Sequence, residues 1–230
     1  MLTAGLRVVL GPSLFVACGA AFAQIGGNIA FLSDDRYRGA SLSNEQPTLR
    51  LSFAYDAPNG WFGGASFTGV SLGRTGRQLQ LLGYGGYVGR LSDRLGWEAG
   101  AIAVHFGADT GYDYAEGFAG LSGDKWNLRL HYSPDYFGSG ARTVYGEFNV
   151  GMPLSPMTRA TGHVGALVQV GGTRTDGGSG TLDGSLGLAV GRDAWEVRLD
   201  WVIGGRSAVY PTAYRRTANG ALVLSASLAF

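Results

Sequence analysis

The sequence predicts an all-β fold, a transmembrane antiparallel up-and-down β-barrel of about twelve strands, and three observations support it. Of its 230 residues 40 are Gly, 12% are aromatic and 15% are charged, whereas about 25% of the residues of soluble domains are charged. Apolar and polar residues alternate with period two in segment after segment, as in strands with two different faces. Beyond residue 24, no stretch reaches the roughly 18–20 apolar residues of a transmembrane helix.

The N-terminal 23 residues have the pattern of a secretory signal peptide. Arg7 precedes a mostly apolar run, and Ala21-Phe22-Ala23 has the small-x-small form of a cleavage site. A lipoprotein signal at Cys18 is the alternative. Cleavage after Ala23 leaves a barrel domain of residues 24–230 with 17 basic and 17 acidic residues and no cysteine. This composition argues against a nucleic-acid partner, a disulfide scaffold and a multi-thiolate metal site.

The alternation is clearest in residues 125–132. Trp126, Leu128, Leu130 and Tyr132 share one face, and Lys125, Asn127, Arg129 and His131 share the other. Similar patterns predict twelve strands, near residues 25–33, 46–56, 61–71, 77–90, 95–106, 112–121, 125–133, 142–151, 158–170, 181–190, 195–203 and 220–230.

The connections between these segments alternate between short and longer ones. Outer-membrane barrels have short periplasmic turns and longer extracellular loops, and an even strand number lets the first strand pair with the last. We therefore expect both mature termini in the periplasm and the Gly204 to Asn219 loop outside. The predicted location is the outer membrane of a Gram-negative bacterium.

A secreted β-sandwich is the competing fold, since its strands also alternate. The predicted strands are longer than the roughly 5–6 residues usual in soluble sheets. Aromatic residues also lie near segment ends, as in an interfacial girdle: Trp61, Trp97, Trp126, Tyr132, Trp195 and Trp201. The chain also ends at Phe230 after an apolar alternation. We predict that Phe230 belongs to a C-terminal signal read by the outer-membrane assembly machinery.

Three segments resemble a known family. Residues 33–43 read S-D-D-R-Y-R-G-A-S-L-S, residues 60–64 read G-W-F-G-G, and residues 132–137 read Y-S-P-D-Y-F. Together they resemble the TorF-like porin family of proteobacterial outer-membrane proteins, although Asp35 stands where most members have an aromatic residue. The resemblance implies an outer-membrane barrel of channel-like character, and it names no catalytic residue.

The first of these segments joins the first two predicted strands and carries both signs of charge. In one interpretation it is an internally salt-bridged loop cap, which we favour; in the other, its arginines bind an anionic solute or a lipid phosphate. The residues of this loop motif are Ser33, Asp34, Arg36, Tyr37, Arg38, Gly39 and Ser41.

Catalytic and metal sites are not indicated. His131 precedes Ser133 and Asp135, but neighbours on one strand point in parallel and do not form a nucleophile–base–acid arrangement. His131 and His163 likewise have no companions at metal-site spacing. We expect no cofactor, and we expect His131 and His163 to face the lumen.

The polar faces of the predicted strands supply the candidate pore-lining residues. A twelve-stranded barrel lies between the filled eight-stranded and the open sixteen-stranded ones, so its lumen is either a narrow pore or a plugged network of ion pairs. We predict a monomer that contacts outer-membrane lipids and passes small solutes; the alternatives are a non-conducting structural or surface-interaction barrel and a lipid-modifying enzyme. The candidates are Arg50, Glu116, Lys125, Arg129, His131, Glu147, Arg159, His163, Glu196, Arg198 and Asp200.

Overall fold

The computed structural model describes residues 24–72, 76–173, 180–204 and 219–230, so the predicted signal peptide and most of the Gly204 to Asn219 loop lie outside the described residues. Twelve antiparallel strands form a closed barrel, which confirms the predicted fold. The barrel strands are β1 (Gln24–Leu32), β4 (Thr48–Asp56), β5 (Trp61–Leu72), β6 (Gly76–Ser92), β7 (Leu95–Phe106), β8 (Tyr114–Ser122), β9 (Trp126–Ser133), β10 (Ala141–Pro153), β11 (Thr158–Gly172), β12 (Gly180–Arg192), β13 (Trp195–Gly204) and β14 (Gly220–Ala229).

Each strand pairs with its neighbours along the chain, and the barrel closes where β1 pairs with β14, with Ala30 opposite Ser227. The C-terminus strengthens this seam, because the backbone N–H groups of Phe230 and Gly27 each donate to the other's carbonyl at 2.9 Å. A closed barrel has no unpaired strand edge.

The two faces of the strands differ in polarity as the alternation predicted. On β12, Leu182 and Leu186 are 74% and 73% exposed on the outer face. On the inner face of β9, Arg129 and His131 are buried. A period-two pattern places every second residue on the same face, so the protein has an apolar outside and a polar inside, the reverse of a soluble protein.

The two ends of the barrel also differ. The turns at 57–60, 93–94, 123–125, 154–157 and 193–194 are short, and they lie at the same end as both described termini. Trp61, Trp126 and Trp195 begin the strands that follow three of these turns, and Trp97 is the third residue of β7. The ring of Tyr87 packs between Trp61 and Trp97, with centroids 5.4 and 5.8 Å away. Aromatic side chains therefore encircle part of this end.

Helices are short. Two 3-10 turns, at Thr110–Tyr112 and Tyr136–Gly138, lie in the connections at the opposite end of the barrel. None of the helices in the described residues is long and apolar enough to cross a membrane.

One element was not predicted. The connection between β1 and β4 contains a small hairpin of its own, formed by β2 (Arg36–Tyr37) and β3 (Ala40–Ser41). Its two-residue turn consists of Arg38 and Gly39, with φ of 50° and 78°. Positive φ at both central residues is the type I′ geometry, whose twist matches that of a hairpin.

Candidate functional site in the lumen

Residues 33–47, which we call the inward loop, fold into the barrel mouth. Ala40 is 0% and Leu42 is 3% exposed, and both belong to an apolar cluster with Val70, Phe106 and Leu167 of the wall. Burial of these side chains stabilises the inward position. The inward loop therefore narrows the lumen.

The Asp34 carboxylate organises the inward loop from within. It accepts hydrogen bonds from the Ser41 hydroxyl at 2.5 Å, the Ser43 hydroxyl at 3.1 Å and the Arg36 Nε at 2.7 Å. The Ser43 hydroxyl in turn accepts the backbone N–H of Asp35 at 2.9 Å. These bonds close the hairpin base, and Ser33, which directly follows β1, is bonded to Leu224 of β14.

The tip of the hairpin binds the barrel wall through a buried ion pair. Arg38 Nη1 and Nη2 donate to the two Glu116 oxygens at 2.7 and 2.6 Å. The guanidinium carbon also lies 4.0 Å from the Tyr145 ring centroid and 4.7 Å from that of Tyr37. Bidentate, charge-assisted pairs are strong and directional, and cations are attracted to ring faces. Burial also raises the pKa of the Tyr37 phenol well above its usual range.

From Glu116 a band of acids and histidines continues across the wall. The two His131 nitrogens lie 3.4 Å from Glu116 and 3.3 Å from Glu147. His163 lies 3.9 Å from Glu147 and 2.7 Å from Asp183. These five residues come from β8, β9, β10, β11 and β12 in order. Their alternation places each imidazole between two carboxylates.

Other interior arginines are also paired with carboxylates. Arg129 Nε and Nη2 donate to Glu98 Oε1 at 2.9 and 2.7 Å. Pairing of this kind lets charged groups lie inside a barrel. The remaining interior pairs are Arg50 with Asp35 at 2.5 Å, Arg159 with Glu196 at 2.7 Å, and Arg198 with Asp200 at 2.6 Å.

A cavity of about 150 Å³ remains beside the inward loop. Tyr37 and Arg38 of the loop form one side, and aromatic side chains of the wall, including Phe62, Tyr84 and Phe118, form the other. The loop therefore narrows the lumen without filling it.

Ten of the eleven candidate pore-lining residues lie on the inner face of their strands, and Lys125 does not. The turn between β8 and β9 extends from residue 123 to residue 125, so that Lys125 lies in this exposed turn, one residue before β9 begins. The inward-facing residues are Arg50, Glu116, Arg129, His131, Glu147, Arg159, His163, Glu196, Arg198 and Asp200. That they line a conducting pore stays a prediction.

Several site residues were missed from the sequence. Glu98 shares its face of β7 with Gly100, Ile102 and Val104. Because these neighbours are not polar, the sequence pattern did not indicate that this face points into the lumen. Asp183 was overlooked because it lies near the start of its strand. Strict period-two counting from better-defined strand centres would have identified both.

The residues considered for catalysis have other hydrogen-bond partners in the structure. The Ser133 hydroxyl donates to the Ala115 carbonyl at 2.9 Å, and Asp135 accepts the Gly140 N–H at 2.7 Å. His105 pairs with Asp113 at 2.6 Å. Among the described residues, no group of three or more His, Cys, Asp or Glu side chains is arranged to hold a metal ion.

The closed barrel with its apolar outside and charged lumen has the architecture of a porin. A NanC porin superposes with a TM-score of 0.59 at 12% identity, over 90% of this chain and 99% of that one. A KdgM porin superposes with a TM-score of 0.53 at 11% identity, over 91% of this chain and 98% of the porin chain. The COG4313 outer membrane channel from Pseudomonas putida F1 superposes with a TM-score of 0.53 at 14% identity, over 93% of this chain and 97% of the channel chain. At these identities the similarity shows a porin-like fold.

The family is shown by the sequence itself. The family described as a bacterial protein of unknown function (Gcw_chp) matches residues 17–223. The chain therefore belongs to the Gcw_chp family, whereas the TorF-like name stays a prediction. A search of the curated proteins finds no match.

Proposed function

We propose that this protein is an outer-membrane channel, whose lumen the inward loop narrows to the size of small solutes. The single observation that carries the proposal is the lumen itself, where a loop folded into the mouth leaves a cavity beside paired charges. Paired, hydrated charges offer a polar route through an apolar bilayer.

The outer surface supports the membrane location. Leu182, Leu186 and Trp201 are more than half exposed on the outer face. Exposed apolar surface of this extent is unfavourable in water and favourable in hydrocarbon. In the proposed orientation, the short turns and both termini face the periplasm, as in other bacterial barrels, after export directed by residues 1–23. Closure leaves no free strand edge for pairing with another chain, which supports a monomer.

The alternative is a non-conducting structural or surface-interaction barrel. It is favoured by the dense ion pairing that extends from Arg38 of the inward loop along the inner wall to Asp183. A plugged barrel and a narrow channel differ in flux, not in fold.

Solute flux distinguishes these two functions. The purified barrel is reconstituted into liposomes, and swelling is measured with sugars of increasing size. We expect swelling with the smallest solutes and a steep decline as size rises, because the inward loop limits the lumen. Swelling rates equal to those of empty liposomes for every solute would favour the non-conducting barrel.

A further inference from the structure

We propose that the cavity beside the inward loop is a binding site for a small carboxylate that carries one flat ring, such as benzoate. The inference rests on the proposed channel function only for the route by which the solute arrives. It is carried by three features of the cavity: a wall of rings laid flat, an excess of guanidinium groups and a suitable size.

The flat wall is built from aromatic side chains lying on glycines of neighbouring strands. A Cβ atom placed on Gly86 would lie 2.8 Å from Phe62 Cζ, and one on Gly100 would lie 2.7 Å from Phe118 Cζ. Only glycine admits rings this close to the backbone. The Phe62 and Phe118 centroids are 6.4 Å apart. Ring faces laid along the wall leave space in front of them and suit another flat ring.

The charge of the cavity lining is strongly asymmetric. Four arginines line it, and Glu147 is the single carboxylate that does so among the described residues. The carboxylates that lie 2.5–2.7 Å from these arginines are not among the lining residues. These arginine–carboxylate pairs are Arg36 with Asp34, Arg38 with Glu116, Arg50 with Asp35, and Arg129 with Glu98. Such a lining favours an anion.

Arg129 lies where the arginine-rich lining meets the aromatic wall. Its Nε and Nη2 bind Glu98, whereas Nη1 lies 3.9 Å from Glu147 Oε1, beyond hydrogen-bonding distance. Its guanidinium carbon is 4.9 Å from the centre of the Phe118 ring. A carboxylate bound at Nη1 would therefore place its attached ring beside Phe118. Arginine suits this role because its planar fork matches a carboxylate.

The size of the cavity limits the ligand to one ring. A cavity of about 150 Å³ is the size that binds benzene when its lining is apolar.

Binding is tested by titrating benzoate into the purified full-length barrel in detergent micelles, with calorimetry as the readout. Arg129→Met with Glu98→Gln removes the contact without leaving Glu98 as an unpaired buried charge. We expect benzoate affinity to fall about tenfold or more, as for loss of a charged hydrogen bond. The matched control is Arg198→Met with Asp200→Asn, an interior pair on β13 outside the cavity lining, which we expect to bind like the parent.

The ring contact is tested separately by Phe118→Leu, which keeps apolar volume and loses the flat face. We expect benzoate affinity to fall about threefold or more, while acetate and benzyl alcohol bind more weakly than benzoate to the parent protein. Heat-modifiable migration on gels confirms that each variant is folded. No benzoate binding by the folded parent, or equal affinity in the Arg129 and Arg198 double variants, would overturn the proposal. Binding without solute flux would contradict the channel function alone, and flux without binding would contradict the site alone.

Discussion

The buried ion pair between Arg38 and Glu116 makes a quantitative prediction about stability. Arg38→Met leaves Glu116, which is 2% exposed, without its bidentate partner. An uncompensated buried charge costs about 3–5 kcal/mol, so we expect the free energy of unfolding to fall by that amount. Adding Glu116→Gln removes the charge, and the double variant should lose only the cation–π contribution, about 1–2 kcal/mol.

The assay is urea unfolding of the barrel in liposomes, followed by tryptophan fluorescence. Arg77→Met is the matched control, because Arg77 also contacts the inward loop, donating to the Pro47 carbonyl at 3.0 Å, but at an exposed site. We expect this control to change stability by less than about 0.5 kcal/mol. If the Arg38→Met variant is as stable as the Arg77→Met control, or the double variant is less stable than Arg38→Met, the ion pair does not hold the loop.

Three further predictions concern the lumen, the seam and the outer face. Gly86→Val should displace both the Ala99 carbonyl and the Phe62 ring, because its Cβ would lie 2.5 Å from the carbonyl oxygen and 2.8 Å from the ring. We expect a lower single-channel conductance and a stability cost of about 1–3 kcal/mol. Gly83→Val, whose Cβ meets open space on the same strand, should change neither, and equal conductances of the two variants would contradict the flat-ring wall. Deleting Phe230 should leave secretion intact and lower the cellular yield of heat-modifiable barrel, and an unchanged yield would refute the assembly-signal prediction. Leu186→Arg should lower the free energy of unfolding, measured with urea in liposomes, by about 2–4 kcal/mol, whereas Leu91→Arg near the turn end should lower it by about 0–1 kcal/mol. Similar decreases for both variants would place Leu186 away from the bilayer centre.

The barrel was predictable because a period of two assigns every residue of a strand once a single residue is assigned. Arg129, Glu147 and Arg198 were placed on the inner face in this way. The prediction that Lys125 lies on the inner face was wrong because the alternation does not show where a strand begins or ends. The turn before β9 begins and ends one residue later than predicted, so Lys125 belongs to the turn.

The inward loop was less predictable. Its charged residues were visible in the sequence, but the partner of Arg38 is Glu116, 78 residues away, and no local pattern links them. The Arg38-Gly39 turn also differs from the Asn-Gly and Asp-Gly pairs that usually mark a type I′ hairpin. Long-range pairing in three dimensions, not local sequence, determines the shape of the lumen.

Single-channel recording in planar bilayers tests the central claim most directly, since it reports whether the inward loop limits an open lumen. Residues 36–41 can be deleted together with Glu116→Gln, because the backbone N–H of Leu42 already donates to the Asp35 carbonyl at 2.6 Å and the ends can be rejoined. The account predicts small unitary currents for the parent and clearly larger ones for the deletion variant. Equal currents, or no current from either folded protein, would contradict it.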